Sequence, residues 1–358
     1  MSKRIGVLTS GGDCPGLNAV LRGVVRAAAN RDWEVIGFHD GFEGLLPPAN
    51  YEVLNLRSTA GIMQLGGTIL GTTSKGHFIA KIGDGTKTHI LPDVLEKTRT
   101  TLAQLNIGAL ICIGGDGSLT TALQLHEAGI PVIGVPKTID NDLEATAMTF
   151  GFDSAVACVA DALDRLHTTA TSHKRVMVIE VMGRQAGWIA LYGGLAGGAD
   201  IILLPEIPFD YGKVADAVLQ REVDGCLSTL VVVAEGAHPR NAGELYHATG
   251  SGEYKLGGIG ERVAADIAKR TGKETRTCVL GHLQRGGPPT TLDRILGTRF
   301  GVHAVELIAD GKFGEMVSYQ NYFVLGVPIA DAVHRIKLVQ PDSQMVQTGR
   351  AVGITFGD

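Results

Sequence analysis

At 358 residues the chain is long enough for about two domains of ordinary size. Its formal charge of −5 argues against the basic footprint of a nucleic-acid-binding protein, so an anionic ligand must be caught by a local basic pocket. The five cysteines, Cys14, Cys112, Cys158, Cys226 and Cys278, are odd in number and widely spaced, so neither a disulfide framework nor a zinc site is indicated.

The start Met1-Ser2-Lys3-Arg4 runs straight into the apolar Ile5–Thr9, too short for a signal peptide, and no apolar run reaches membrane-spanning length. A reducing cytoplasm is the expected location, with neither membrane nor nucleic acid as a partner. Hydrophobic residues make up 44% and aromatic residues only 5%, so the core must be mostly Ala, Val, Ile and Leu. The 49 glycines follow no collagen period and predict tight turns and close backbone approaches.

In chain order the pattern predicts a strand at Ile5–Thr9, a helix at Leu17–Asn30 and a strand at Glu34–Phe38. Next come a helix at Pro92–Leu105, a strand at Ala109–Ile113, a helix at Leu119–His126 and a strand at Val132–Val135. A helix at Phe152–Thr169 leads to strands at Val176–Val181 and Ile201–Leu204. A helix at Tyr211–Glu222, a strand at Thr229–Ala234, a helix at Gly258–Arg270 and a strand at Arg276–Leu280 follow. This alternation reads as α/β with mostly parallel sheets, in which ligands bind at the carboxyl ends of the strands. A second α/β unit begins near Gly151 without a linker, so the chain is expected to cross between the units more than once.

The motifs stand at those strand ends. Thr9-Ser10-Gly11-Gly12-Asp13-Cys14-Pro15-Gly16-Leu17-Asn18 joins the first strand to a helix N-terminus, a natural anion site. A turn whose Asp13 or Asn18 satisfies the backbone would look the same. In Gly114-Gly115-Asp116-Gly117-Ser118, the glycines on either side of Asp116 leave no Cβ to obstruct a polyphosphate, and Asp116 is a candidate Mg²⁺ ligand. The competing reading is an Asp-Gly turn with Ser118 as a helix cap. Pro136-Lys137-Thr138-Ile139-Asp140-Asn141-Asp142 brings two aspartates at i, i+2 spacing, one able to face a substrate hydroxyl and one the metal region, with Lys137 as a cation beside the phosphates. Basic residues cluster by motif at Arg175, Arg184, Arg276 and His282 with Arg285, while Glu235 ends the strand Thr229–Ala234. Glycine turns, carboxylates and guanidinium groups together point to phosphoryl transfer.

On these residues, and on Gly66-Gly67-Thr68, Ser172–Arg175, Glu180–Arg184, Glu274-Thr275-Arg276 and Gly281–Gly287, the chain resembles the 6-phosphofructokinase family over nearly its whole length. The resemblance implies two Rossmann-like three-layer domains. Residues 1–151 with about 284–334 would bind nucleotide and Mg²⁺, and residues 152–283 with about 335–358 the sugar phosphate. It implies phosphorylation of the 1-hydroxyl of fructose 6-phosphate by Mg-ATP, with Asp140 as general base. Lys137, Thr138, Asp142 and Arg184 would assist at the transferred phosphoryl group, and Asp116 would bind Mg²⁺. Gly12, Lys75, Gly115, Gly117 and Ser118 would line the nucleotide. Ile139, Met182, Gly183, Arg184, Glu235, His282 and Arg285 would contact the sugar phosphate. Arg175 and Arg276 match residues that reach a neighbouring subunit's site, so a tetramer or dimer is implied.

Two positions depart from the common pattern. Gly117 is the mark of the ATP form, where an aspartate marks the pyrophosphate form, whereas Lys137 is found in pyrophosphate-dependent members; the mixture is similar to the atypical, mixed-substrate ATP group. Gly117 weighs more, because an aspartate there would set like charge against the α-phosphate at a cost of about 4 kcal/mol at roughly 4 Å. Ser74 falls where many bacterial members carry an arginine, and the adjacent Lys75 is expected to substitute. Held against this reading are a pyrophosphate-dependent phosphotransferase, an NAD or lipid kinase with the same glycine turn, and a non-catalytic sugar-phosphate-binding regulatory subunit.

Overall fold

The computed structural model describes residues 3–73, 75–78, 89–248 and 254–358. In chain order these form β1 (Arg4–Thr9), α1 (Leu17–Ala29), β2 (Glu34–Phe38), β3 (Tyr51–Leu54), α2 (Pro92–Gln104), β4 (Ile107–Gly114), α3 (Asp116–Glu127), β5 (Val132–Thr138) and β6 (Phe150–Gly151). There follow α4 (Phe152–His173), β7 (Val176–Val181), α5 (Trp188–Ala196), β8 (Ile201–Leu203), α6 (Tyr211–Val223), β9 (Thr229–Ala234), β10 (Tyr246–Ala248), β11 (Tyr254–Leu256), α7 (Ile259–Thr271) and β12 (Thr275–Val279). The last elements are α8 (Thr291–Ala309), β13 (Glu315–Gln320), β14 (Phe323–Pro328), α9 (Ile329–Ala332) and α10 (Gln344–Ala351).

The chain divides into two compact units. One holds Met1–Thr138, Leu143–Asp153 and Arg285–Ile336; the other holds Ile139–Asp142, Ser154–Gln284 and Lys337–Asp358. The segment Ile139–Asp142 therefore groups with the second unit, where the sequence reading places it in the first.

The first unit is built on a sheet of order β14-β13-β5-β4-β1-β2-β3, parallel from β13 to β2 and antiparallel at β2–β3 and β13–β14. β5 is buried along its whole length and β4 from Ala109 onward, the burial expected of strands covered on both faces. Their apolar runs make a core with Leu8, Ile36, Leu110, Cys112, Leu119, Val132 and Met316. α1 and α8 approach so closely that a Cβ on Gly23 would stand 2.6 Å from the Thr298 carbonyl oxygen. Gly23→Ala is expected to destabilise the protein by about 1–3 kcal/mol, read as a lower urea midpoint. An unchanged midpoint would show that the two helices can part at no cost.

The second unit carries the all-parallel sheet β12-β7-β9-β8 and the antiparallel pair β10–β11. β7 and β9 are buried throughout, but β12 is an edge strand with Val279 54% exposed. Within β7 the carboxylate of Glu180 is buried. It accepts the N–H groups of Gly258 at 3.0 Å and Gly260 at 2.8 Å, satisfying orphan donors at the start of α7.

Two expectations about local structure change. β5 continues through Thr138, three residues beyond the predicted limit at Val135, so Lys137 and Thr138 are strand residues. α3 begins at Asp116, with Gly115 as its N-cap and no side-chain cap, so Ser118 lies inside the helix. Asp116 and Gly117 thus belong to the first helical turn, although neither contributes to the apolar pattern from which the helix is read.

Candidate functional site

In the first unit the two glycine turns meet. Ser118 Oγ would lie 3.2 Å from a Cβ on Gly11, and the Ser10 N–H donates to the Ile113 carbonyl at 2.9 Å, which aligns the ends of β1 and β4. Lys137 is 4% exposed, and its ammonium donates to the Gly12 carbonyl. The cation therefore sits beneath the first turn and braces it. Arg285 closes over the same turn: Nη1 donates to the Asp13 carbonyl at 3.1 Å and would stand 2.6 Å from a Cβ on Gly12.

Asp116 is half-buried in the first turn of α3, and Gly115 is held close to the Lys137 carbonyl, 3.1 Å from its would-be Cβ. Beside it Gly117 opens to space, with no atom within 4 Å of where its Cβ would be. One carboxylate with room for waters and phosphate fits Mg²⁺, which typically takes one or two carboxylates and keeps the rest of its shell for water and substrate. Among the described residues no three His, Cys, Asp or Glu side chains converge as an all-protein metal cage. Thr138 is buried, and its carbonyl accepts the Thr149 hydroxyl at 2.7 Å.

Three further residues of this unit are marked by the sequence. Asn18 spans the 65–69 loop, donating to the carbonyls of Leu65 and Gly66 and accepting from the Ile69 N–H at 2.9 Å. It is a brace for that loop and not a cap of its own turn. Cys14 is fully buried, and burial pushes its thiol up to about 12, so it is no nucleophile at neutral pH. Lys75 is exposed on a loop whose Thr73 carbonyl accepts the Gly11 N–H at 3.2 Å. Ser74 lies outside the described residues.

In the second unit Ile139, Asp140 and Asp142 are all buried, with Asp140 only 3% exposed. Arg184 Nε lies 3.8 Å from Asp140 Oδ2, while its side chain is 66% open to solvent. Met182 is half-buried and Gly183 buried. Gly183 and Arg184 both have positive φ, 145° and 52°, and the turn is held by Glu235, whose Oε1 accepts the Gly183 N–H at 3.2 Å and the Arg184 N–H at 2.8 Å. Glu235 is thus placed as a brace for the Arg184 backbone as well as a candidate sugar ligand.

Burial pushes the Glu235 carboxyl above the usual glutamate range; the Arg184 N–H pulls it back, and the Asp140 charge adds to the rise. A carboxyl raised in the folded state binds more protons than in the unfolded state, so its contribution to stability falls as pH rises through that window. Glu235→Gln keeps an acceptor oxygen for both N–H groups. It is expected to flatten the fall of the melting temperature as pH rises above the ordinary glutamate range. An unchanged slope would refute the buried, protonation-prone state of Glu235.

Arg175 and Arg276 are brought together by Glu274, to which the sequence assigns no role. Glu274 Oε1 pairs with Arg175 Nη2 at 2.9 Å and with Arg276 Nη2 at 2.6 Å, at the head of edge strand β12. His282 is exposed in the short 3-10 turn Gly281–Arg285. Sequence reasoning assigns no role to three groups that shape these loops: Glu180, Glu206 and Lys337. A lone carboxylate in an apolar strand is the available signal for Glu180. Lys337 carries no local signal, because its partners are far away in sequence.

Two α/β units with mostly parallel sheets, glycine turns at strand ends and a buried aspartate beside an arginine fit a phosphotransferase. The family model described as Phosphofructokinase matches residues 4–308, and the chain belongs to the phosphofructokinase family. It is 52% identical over 356 residues to an ATP-dependent 6-phosphofructokinase of Chloroflexus aurantiacus, covering 99% of this chain and 98% of that one. It is 48% identical over 344 residues to a pyrophosphate–fructose 6-phosphate 1-phosphotransferase of Amycolatopsis methanolica, covering 95% and 97%. Among solved structures, Pichia pastoris phosphofructokinase in the T-state superposes with a TM-score of 0.82 at 29% identity. That match covers 98% of this chain, which spans 36% of the longer yeast chain.

Proposed function

We infer that this chain is an ATP-dependent 6-phosphofructokinase, transferring the γ-phosphoryl group of ATP to the 1-hydroxyl of fructose 6-phosphate to give fructose 1,6-bisphosphate and ADP. The observation that carries the chemistry is the buried Asp140 carboxylate with the Arg184 guanidinium 3.8 Å away. Asp140 accepts the proton of the 1-hydroxyl as its oxygen bonds to the γ-phosphorus and the bond to the β-phosphate oxygen breaks. Arg184 stands where it can offset the negative charge of the transferring group. Asp142, Thr138 and Ile139 shape the loop around the base, and Met182, Gly183, Glu235, His282 and Arg285 are the contacts for the sugar phosphate.

Gly12, Gly115, Gly117 and Ser118 line the nucleotide phosphates, with Lys75 at their rim. Asp116 is the residue that would hold Mg²⁺, which when bound offsets charge on the β- and γ-phosphates. Lys137 serves this set by holding the Gly12 carbonyl. Arg175 and Arg276, paired through Glu274 on an edge strand, fit a role toward a neighbouring subunit in a homo-oligomer. All five cysteines are free thiols, in keeping with a cytoplasmic setting. No helix among the described residues is long and apolar enough to cross a membrane.

A pyrophosphate-dependent relative at 48% identity keeps the donor question sharp, since an ATP-dependent enzyme of Synechocystis is also 48% identical. Gly117 favours ATP because it sets neither a Cβ nor a like charge where the α-phosphate would lie, and no atom is within 4 Å of its would-be Cβ. The deciding assay is fructose 1,6-bisphosphate formation with ATP and with pyrophosphate in parallel. Turnover chiefly with ATP is expected; turnover chiefly with pyrophosphate would overturn the donor assignment.

A further inference from the structure

The loop that carries Asp140 has an anchor that no motif marks. Asn141, beside the base, is 4% exposed and sits in the left-handed region at φ 51°. A non-glycine residue keeps such a conformation where its surroundings hold it. Lys337 supplies part of that hold. Its ammonium donates to Asn141 Oδ1 at 3.1 Å, and its backbone N–H donates to the Asp142 carbonyl at 2.8 Å.

Lys337 is itself fixed in place. The Trp188 indole N–H donates to its carbonyl at 2.8 Å, and its ammonium lies 5.6 Å from the Trp188 ring centroid. Two residues on, the Val339 N–H donates to Glu206 Oε1 at 2.9 Å, and the same oxygen accepts the Gly187 N–H at 2.9 Å. The segment 337–339 thus ties the Asp140 loop to the loop that carries Arg184. The two loops must hold Asp140 and Arg184 in one fixed geometry for the base and the cation to act on the same phosphoryl group.

We propose that Lys337 is a positioning residue for phosphoryl transfer, fixing Asp140 through the Asn141 side chain and the Asp142 carbonyl. The proposal rests on the reading of Asp140 as the general base. A base displaced by about 1 Å loses roughly 10²-fold in rate, so a tether on the next residue has a large lever on kcat and little on ground-state binding.

Lys337→Met keeps the aliphatic stem against Trp188 and removes the ammonium. We expect kcat to fall by about 10–100-fold while KM for fructose 6-phosphate and for ATP stays within about twofold. Lys337→Arg, which presents a cation to the same acceptor, restores most of the rate. Asn141→Ala gives a comparable loss, and the double variant loses no more than the larger single one, because both act through one contact. A merely structural lysine would lower the melting temperature of the variants and leave kcat of the folded enzyme, and its rescue by arginine, unmoved.

Asp140→Asn measured alongside separates the two possible failures. If Asp140→Asn keeps kcat, the base reading falls and the positioning role falls with it. If Asp140→Asn loses kcat while Lys337→Met stays within about twofold, or if the Lys337 and Asn141 losses multiply, the positioning role alone is overturned. Should Lys337→Met not fold, Asn141→Ala decides: a kcat loss at constant KM supports the tether, and unchanged kcat refutes it.

Discussion

Asp140→Asn lowers kcat for fructose 6-phosphate phosphorylation by about 10²–10⁴-fold, with KM for both substrates nearly unchanged. The substitution is close to isosteric, so the loop Ile139–Asp142, buried throughout, keeps its packing. What disappears is the property a base needs, a site that accepts the hydroxyl proton as the phosphorus–oxygen bond forms. Neutralising residue 140 also removes its ion pair with Arg184, but that pair contributes little to stability, because the guanidinium is 66% exposed and solvent screens it. Steady-state kinetics at saturating ATP, with the melting temperature as a control, read the result. A loss confined to KM would remove Asp140 from the base role and make it a binding residue.

Gly117→Asp is expected to cost ATP-dependent turnover about 10²–10³-fold in kcat/KM while leaving the fold intact. The fold should tolerate it for two reasons. No atom lies within 4 Å of the new Cβ, and an acidic residue in the first turn of α3 is favourable toward the helix dipole. The penalty falls on the nucleotide. A carboxylate about 4 Å from an α-phosphate charge costs about 4 kcal/mol at an effective dielectric near 20, and partial relaxation leaves the smaller loss stated. Pyrophosphate lacks the α-phosphate and the nucleoside, so any turnover with it should fall much less. Equal losses with both donors would mean that the aspartate disturbs Asp116 and not the α-phosphate subsite.

Much of this architecture is legible before the fold is known. The strands Glu34–Phe38, Val176–Val181 and Thr229–Ala234 fall at the predicted limits, because a strand buried on both faces must be continuously apolar and turns must bound it. α8 and the β13–β14 hairpin escape the sequence pattern. α8 is buried on several sides, so it lacks a clean amphipathic stripe. The motifs at the ends of β1, β4 and β5 are readable because glycine turns and carboxylates recur together at the carboxyl ends of parallel strands, where such sheets bind their ligands.

The sequence by itself determined the α/β alternation, the glycine turns at strand ends and the resemblance to one family, since each depends on residues near one another in the chain. Tertiary structure decided where the long side chains end. Lys137 turns under Gly12, which is 125 positions away, and Arg285 closes on Asp13 from 272 positions away. Glu274 gathers Arg175 and Arg276, and Lys337 reaches Asn141 across 196 positions. A lysine or arginine can pair with any acceptor within reach of its flexible stem, so its type says that a partner is needed, and only the packing of distant strands and loops says which one it finds.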